Sequence, residues 1–339
     1  MNDREKAYWH RFAAEARHMG SPLYESLSLA IEDDTELKRL AARARPGQPH
    51  ANLLLGAVHF LLLRGVEHPL KDFYATLGGT ASGNVFPVFR DFVVTHREQV
   101  AALIETRVTN TNEVARSCVL RAGFAALAER EPLPLRLIEI GPSAGLNMSW
   151  DRYGTRYRRD GAVVTEIAPD APLVLECELR GENLPPLSPP PVIAGRIGLE
   201  RDPVNLFDPD DRDWLRALVW PDQPHRLDRL DRAIAIYLGS PPEILRGDAL
   251  ALLPEVLARM PPQDAVCVYH TIAVYQFSAA MKAALSAILA GAGRPLWHLS
   301  FEFDGSDYAL TLTRHQNGEV RAERLAKAQA HGGWMAWDG

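Results

Sequence analysis

Apolar residues in the first third of the chain recur at steps of three and four, the period of a helix with one buried face. REKAYWHRFAAEARHMG (4–20) shows this, and Gly20 and Pro22 then stop the pattern. Asp34 is placed to cap TELKRLAARAR, Pro49 opens the run carrying Leu53–Leu63, and Pro87 opens VFRDFVVTHREQVAALIETR, which reads as one helix or two. VARSCVLRAGFAALAERE puts Val114, Cys118 and Leu127 on one side of a further helix. The pattern predicts an all-helical N-terminal domain over 1–131.

The period changes at EPLPLRLIEIG. Pro132 and Pro134 break the last helix, and LRLIEI is a short apolar run of the kind found in a buried parallel strand. Strand and helix then alternate. VIAGRIGLE precedes the helices DDRDWLRALVW and LDRLDRAIAIYL, and PEILRGDA precedes LPEVLARM. AVCVYHT precedes YQFSAAMKAALSAILAG, and PLWHLSFEF and YALTLTRH close the pattern as an antiparallel hairpin through DGSD. This alternation predicts an α/β domain over 132–339, with a mostly parallel sheet, helices on both faces and a Rossmann-like organisation. An insertion at about 155–191 holds the strand LVLECELRG and the proline cluster LPPLSPPP, read as a stiff connector. The 339 residues fit a prior of about two domains.

LRLIEIGPSAGLNMSWDRY (135–153) carries the candidate chemistry. As Gly141-x-Ser143-x-Gly145 it matches the nucleophile elbow of a serine hydrolase, and Ser143, then Asp248 or Asp304, then His331 would satisfy that triad's chain order. The elbow normally follows several strands, however, and here a helical segment precedes it. As Glu139-x-Gly141-x-x-x-Gly145 the stretch is a glycine turn after the first strand, where a doubly wound domain keeps its ligand. Ser143 stands where GxGxxG has its second glycine, which disfavours NAD or FAD and fits the looser turn of S-adenosylmethionine enzymes. Gly145 is then expected to start a helix close to the ligand, with Ser143 as its cap.

Composition narrows the classes. With 37 basic against 43 acidic residues the net charge is −6, which argues against a nucleic-acid partner held by phosphate neutralisation. Cys118, Cys177 and Cys267 are far apart and read as reduced thiols. The start MNDREKAYWHRF lacks an apolar signal core, and LLLGAVHFLLL (53–63) is too short to span a bilayer. A cytoplasmic protein without a membrane partner is expected. No HxH, HExxH or Cys/His spacing suggests zinc, so no metal is expected.

LIEIGPSAGLNMSWDRY resembles the signature of the DUF2332 family of bacterial proteins. SPLYESLSLAIEDD, HANLLLGAVHFLLL, TNTNEVARS, VIAGRIGLERDPVNLFDPDDRDWLRALVWPDQ and LRGDAL extend the resemblance over nearly the whole chain. It implies an α/β part similar to class I methyltransferases. On that comparison Glu139, Gly141, Ser143, Gly145 and Asn147 belong to a loop cradling the methionine part of S-adenosylmethionine. Glu200, with Glu166 as its rival, would bind the ribose, and Asp248 with Ala249 the adenine. Tyr269, His270 and Thr271 end the fourth core strand, where donor and acceptor meet. His270 is the candidate general base there. No NPPY-type tetrapeptide follows, so methylation of a base amino group is not implied.

TNTNEVARS supplies polar side chains ahead of a helix. Asn112 with Glu113 is a plausible helix cap, and Asn110, Asn112, Glu113 and Arg116, with Tyr153 and Thr271, are candidates to line the acceptor pocket. Trp150 and Asp151 are candidates for the same cleft, Trp150 more as packing than as a stacking platform. The expected function is S-adenosylmethionine-dependent methylation of a small molecule. The alternatives are a serine hydrolase and a cofactor-binding protein without catalysis.

Overall fold

The computed structural model describes residues 3–110, 112–187, 189 and 191–338. Thr111 and, in the proline cluster, Ser188 and Pro190 lie outside the described residues. Six helices come first: α1 (Asp3–His18), α2 (Pro22–Asp33), α3 (Thr35–Ala41), α4 (His50–Leu63), α5 (Phe86–Thr95) and α6 (Arg97–Thr106). Then follow α7 (Arg116–Ala128), β1 (Leu135–Ile140), β2 (Gly154–Arg159), β3 (Ala162–Ile167), β4 (Val174–Arg180) and β5 (Ile193–Glu200). Next come α8 (Pro209–Ala217), α9 (Pro224–Gly239), β6 (Glu243–Arg246), α10 (Ala249–Ala258), β7 (Ala265–Thr271) and α11 (Ala279–Ala290). The chain ends with β8 (Leu296–Phe303), β9 (Tyr308–Gln316), β10 (Glu319–Ala328) and β11 (Trp334–Trp337).

The chain divides into two compact units, 1–111 with 205–231 and 112–204 with 232–339. In the first, Trp9, Leu27, Ile31, Leu54, Val58, Phe89, Phe92 and Ile104 form one core with Trp214 and Ala217. The run LLLGAVHFLLL becomes α4, buried nearly all round. Gly56 allows this closeness, because a Cβ there would stand 3.2 Å from a Leu218 methyl. His59 sits in the same core, and its Nδ1 is 3.1 Å from the Ala217 carbonyl. Burial lowers its pKa to about 4, so the ring stays neutral. No helix among the described residues is long and apolar enough to cross a membrane.

The second unit is built on a large, mostly parallel sheet, which makes the molecule a mixed α/β protein. Its strand order is β3-β2-β4-β11-β10-β9-β8-β7-β1-β5-β6. β1 lies between β7 and β5, parallel to both. Every residue of β7 is buried, as a strand covered on both faces must be. On one face Ile138, Ile140, Val266 and Val268 pack with Leu253 and Val256 of α10 and Leu285 and Leu289 of α11. On the other, Phe124 of α7 stacks on Trp150 at 4.5 Å and meets Tyr269 edge-on at 5.3 Å.

Three local expectations change. The stretch after Gly145, Leu146–Arg152, is 3-10 in kind and kinked at Ser149, rather than an α-helix. Leu146, Asn147, Met148, Ser149 and Trp150 are all buried there, polar and apolar alike, which leaves no solvent face for an amphipathic helix. The insertion is mostly sheet, since β2 pairs with both β3 and β4 and β4 pairs with β11. Finally, β8 and β9 do form the expected antiparallel hairpin, but β10 and β11 extend it further.

Candidate functional site

The carboxyl end of β1 turns sharply. Gly141, Ser143 and Gly145 all adopt positive φ, at 68°, 57° and 78°. The turn lies tight against its neighbours: a Cβ on Gly141 would stand 2.9 Å from that of Ala273, and one on Gly145 2.8 Å from Ile244 Cδ1. Four of its backbone donors are already used. Gly141 N donates to the Leu199 carbonyl at 3.0 Å and Gly145 N to that of Pro142 at 2.8 Å. Ser143 N donates to Glu200 Oε2 at 2.8 Å, and Leu146 N to Asn112 Oδ1 at 3.0 Å. The turn therefore presents no open row of N–H groups of the kind that cradles phosphates. Ser143 Oγ is buried and has no hydrogen-bond partner among the described residues.

Acidic side chains mark three neighbouring strand ends. Glu139, near the end of β1, is 1% exposed and accepts a 2.9 Å hydrogen bond from the Tyr269 hydroxyl. Burial raises its pKa to about 8; nearby Glu200 raises it too, while the Tyr269 hydrogen bond and Arg116 pull the other way. Glu200 ends β5, the strand beside β1, and its Oε1 accepts from Asp202 N at 3.2 Å. Its rival Glu166 stands on β3, the edge strand at the far side of the sheet, paired with Arg156. Asp248 follows β6 and caps α10 through Leu250 N at 2.8 Å, with Arg201 at 3.4 Å and Ala249 as the first helical residue. Two backbone bonds leave Glu200 with acceptor capacity, since a carboxylate takes about four.

At the end of β7, His270 is buried with both ring nitrogens engaged. Nδ1 lies 2.8 Å from Glu302 Oε1 and Nε2 lies 3.0 Å from His298 Nε2. Glu302 also accepts from the backbone N–H of Ala273, Val274 and Tyr275, at 2.8, 2.9 and 3.2 Å. Burial pushes Glu302 up, but His270 and these N–H groups outweigh it and hold the carboxyl below its ordinary value. His298 is driven down by burial and then by His270 and His315, so it is neutral. Thr271 is buried, and its carbonyl accepts from Arg116 Nη1 at 3.2 Å.

The polar residues flanking α7 and the turn hold the protein to itself. Asn112 does not cap α7, whose first turn begins at Arg116 after an uncapped Ala115; it bridges Leu146 N and the Pro142 carbonyl instead. Glu113 Oε1 accepts from Ala115 N at 3.2 Å. Asn147 links Ser117 Oγ to the Glu113 carbonyl, and the Tyr153 hydroxyl donates to the Leu146 carbonyl at 2.6 Å. Trp150 is core, and Asp151 pairs with Arg196. Asn110 belongs to the other unit. The remaining candidates gather around the ends of β1, β5 and β7, with Asp248 and Ala249 one strand further out. Glu302 and His298 were not singled out from sequence, although WHLSFEF places them two strand repeats apart on one face.

A separate cleft of about 280 Å³, lined by Arg294, His315, Gln316, Asn317 and Glu319, lies at the amino end of β8, opposite the glycine turn. Among the described residues no group of three or more His, Cys, Asp or Glu is arranged to hold a metal ion.

No curated protein matches the chain. A family model described as "Uncharacterized protein conserved in bacteria (DUF2332)" matches residues 6–337, almost its whole length. With that coverage, the chain belongs to the DUF2332 family.

Proposed function

We propose that the sheet unit binds S-adenosylmethionine at the carboxyl ends of β1, β5 and β6 and passes its methyl group to a small molecule near the end of β7. Numbering the five parallel strands β1, β5, β6, β7 and β8 in chain order gives 3-2-1-4-5 across the sheet. That is the doubly wound order, and its ligand crevice opens where the order reverses, at β1 and β7. The finer description of the fold is then Rossmann-like, preceded by helices.

One observation carries the proposal. The N–H groups of Gly141, Ser143, Gly145 and Leu146 are spent on Leu199, Glu200, Pro142 and Asn112, while the strand ends offer the carboxylates of Glu200 and Asp248 beside the buried carboxyl of Glu139. Such a site suits a ligand rich in hydrogen-bond donors and positive charge, not a pyrophosphate. S-adenosylmethionine has ribose hydroxyls for Glu200, an amino group on its adenine for Asp248 and an ammonium whose charge would draw off the proton that burial keeps on Glu139. When bound it supplies an electrophilic methyl group; the sulfonium becomes a thioether as the acceptor heteroatom gains methyl and loses a proton. His270, oriented by Glu302, takes that proton in this scheme, provided Nε2 exchanges His298 for the acceptor.

Titration with S-adenosylhomocysteine tests the assignment. Glu200→Gln is expected to weaken binding about tenfold, the loss of charge-assisted hydrogen bonds. Unchanged affinity would sink it. The positive φ and unpartnered hydroxyl of Ser143 favour one second possibility, a strained nucleophile elbow. Against it, the turn is followed by a 3-10 segment rather than the α-helix that an elbow leads into. Covalent labelling of Ser143 by a fluorophosphonate would reverse that preference.

A further inference from the structure

Arg116 opens α7 at the end of β7 and is partly exposed. Nε donates to the Ala330 carbonyl at 2.8 Å and Nη1 to that of Thr271 at 3.2 Å, which fixes the plane of the guanidinium. A guanidinium has five N–H donors. No carboxylate stands within ion-pair distance of Arg116 among the described residues, although Glu113 and Glu302 are near enough to act on its charge. Both of these acids are committed elsewhere, Glu302 to His270 and three backbone N–H groups and Glu113 to Ala115 N. Withdrawal from water lowers the pKa of Arg116 more than these acids restore it, so its charge is not fully compensated within the protein.

The surroundings give the rest of the ligand. Tyr275 and Phe303 are 59% and 53% exposed; Tyr275 donates its backbone N–H to Glu302, and Phe303 follows Glu302 in β8 with its side chain on the other face of the sheet. Tyr308 packs on Phe303 at 5.4 Å, and Tyr275 and Tyr308 both lie near enough to act on the charge of Arg116. Exposed rings of this size beside a half-used guanidinium fit a ligand with a planar apolar body and a forked anion.

Building on the methyl-transfer proposal, we infer that the acceptor is an aromatic carboxylic acid, its carboxylate held by Arg116 and its ring set against Tyr275 and Phe303. Arg116 is thus a specificity residue for the acceptor, whichever heteroatom is methylated.

The probes are 4-hydroxybenzoate and its uncharged amide, titrated into the intact protein with and without S-adenosylhomocysteine. The acid is expected to bind about tenfold more tightly than the amide, the worth of a charged hydrogen-bond pair. Arg116→Gln should bring the two to within about twofold, and Arg116→Lys should keep part of the preference. Tyr275→Ala, on an exposed side chain, should weaken acid and amide alike and leave their ratio intact. Equal binding of acid and amide by the unaltered protein overturns the inference, as does a ratio insensitive to Arg116→Gln. If S-adenosylhomocysteine fails to bind while Arg116 still selects the acid, the cofactor assignment falls and the anion site stands. If the cofactor product binds without any selection, the reverse holds.

Discussion

Glu139 is a carboxyl taken out of water without an ion pair, on a strand whose neighbours at its level are Gly198 and Tyr269. Its ordinary value of 4.5 rises to about 8 in the fold, chiefly through burial. Between those values the unfolded chain has lost a proton that the folded chain keeps, so stability is fully present below 4.5 and falls as pH rises towards 8. Glu139→Gln, which keeps an oxygen for the Tyr269 hydroxyl, should remove this slope. Relative to the variant, the protein is expected to lose on the order of 1 kcal/mol per pH unit across that window. Denaturant unfolding at several pH values checks it, and parallel profiles for the two proteins would contradict it. Glu139, Gly141 and Gly145 were legible because a turn leaving a buried strand needs glycine at positive φ, and that need is local. Glu302 and His298, which define the chemistry around His270, were not, and Tyr269 was legible as a strand end but not as the partner of Glu139. Each is an ordinary strand residue until the sheet sets it beside its neighbour.

At the scale of elements, one carboxylate organises the segment after β7. Glu302 accepts from His270 and from the N–H groups of Ala273, Val274 and Tyr275. Because its pKa is held down, its contribution is present above the ordinary value of 4.5 and lost as pH falls through the lower, folded value. Glu302→Gln should destabilise the protein by about 1–3 kcal/mol, with hydrogen exchange accelerated most at residues 273–275. Uniform acceleration across β7 and β8 would instead assign Glu302 a general packing role. Helices were readable where one face is apolar, and β1 and β7 where a short apolar run is bounded by breakers. β2, β3 and β10 were not, for a physical reason. Glu319–Arg324 of β10 and most of β3 are exposed, so backbone pairing rather than alternation makes them strands. The 3-10 turn after Gly145 was hidden likewise, because its apolar residues serve burial on all sides and carry no period.

At the scale of the molecule, strand order decides which acids meet the turn. β5 returns to β1 across more than fifty residues, while the insertion between them folds as β2, β3 and β4 at the other end of the sheet. This places Glu200 rather than its rival Glu166 beside the turn. Pairings such as β4 with β11 leave no trace in local sequence. The resulting strand ends carry acidic side chains beside a turn with four of its N–H groups already taken, and on the proposed reading that combination would separate S-adenosylmethionine from nucleotides that present phosphates. The most direct measurement is a calorimetric titration of the unaltered protein with S-adenosylmethionine and, in parallel, with ATP. Binding of S-adenosylmethionine with Kd on the order of 10 μM, and no heat with ATP, is the expected result. No heat with S-adenosylmethionine, or tighter binding of ATP, would contradict a carboxylate-lined, phosphate-excluding cofactor site.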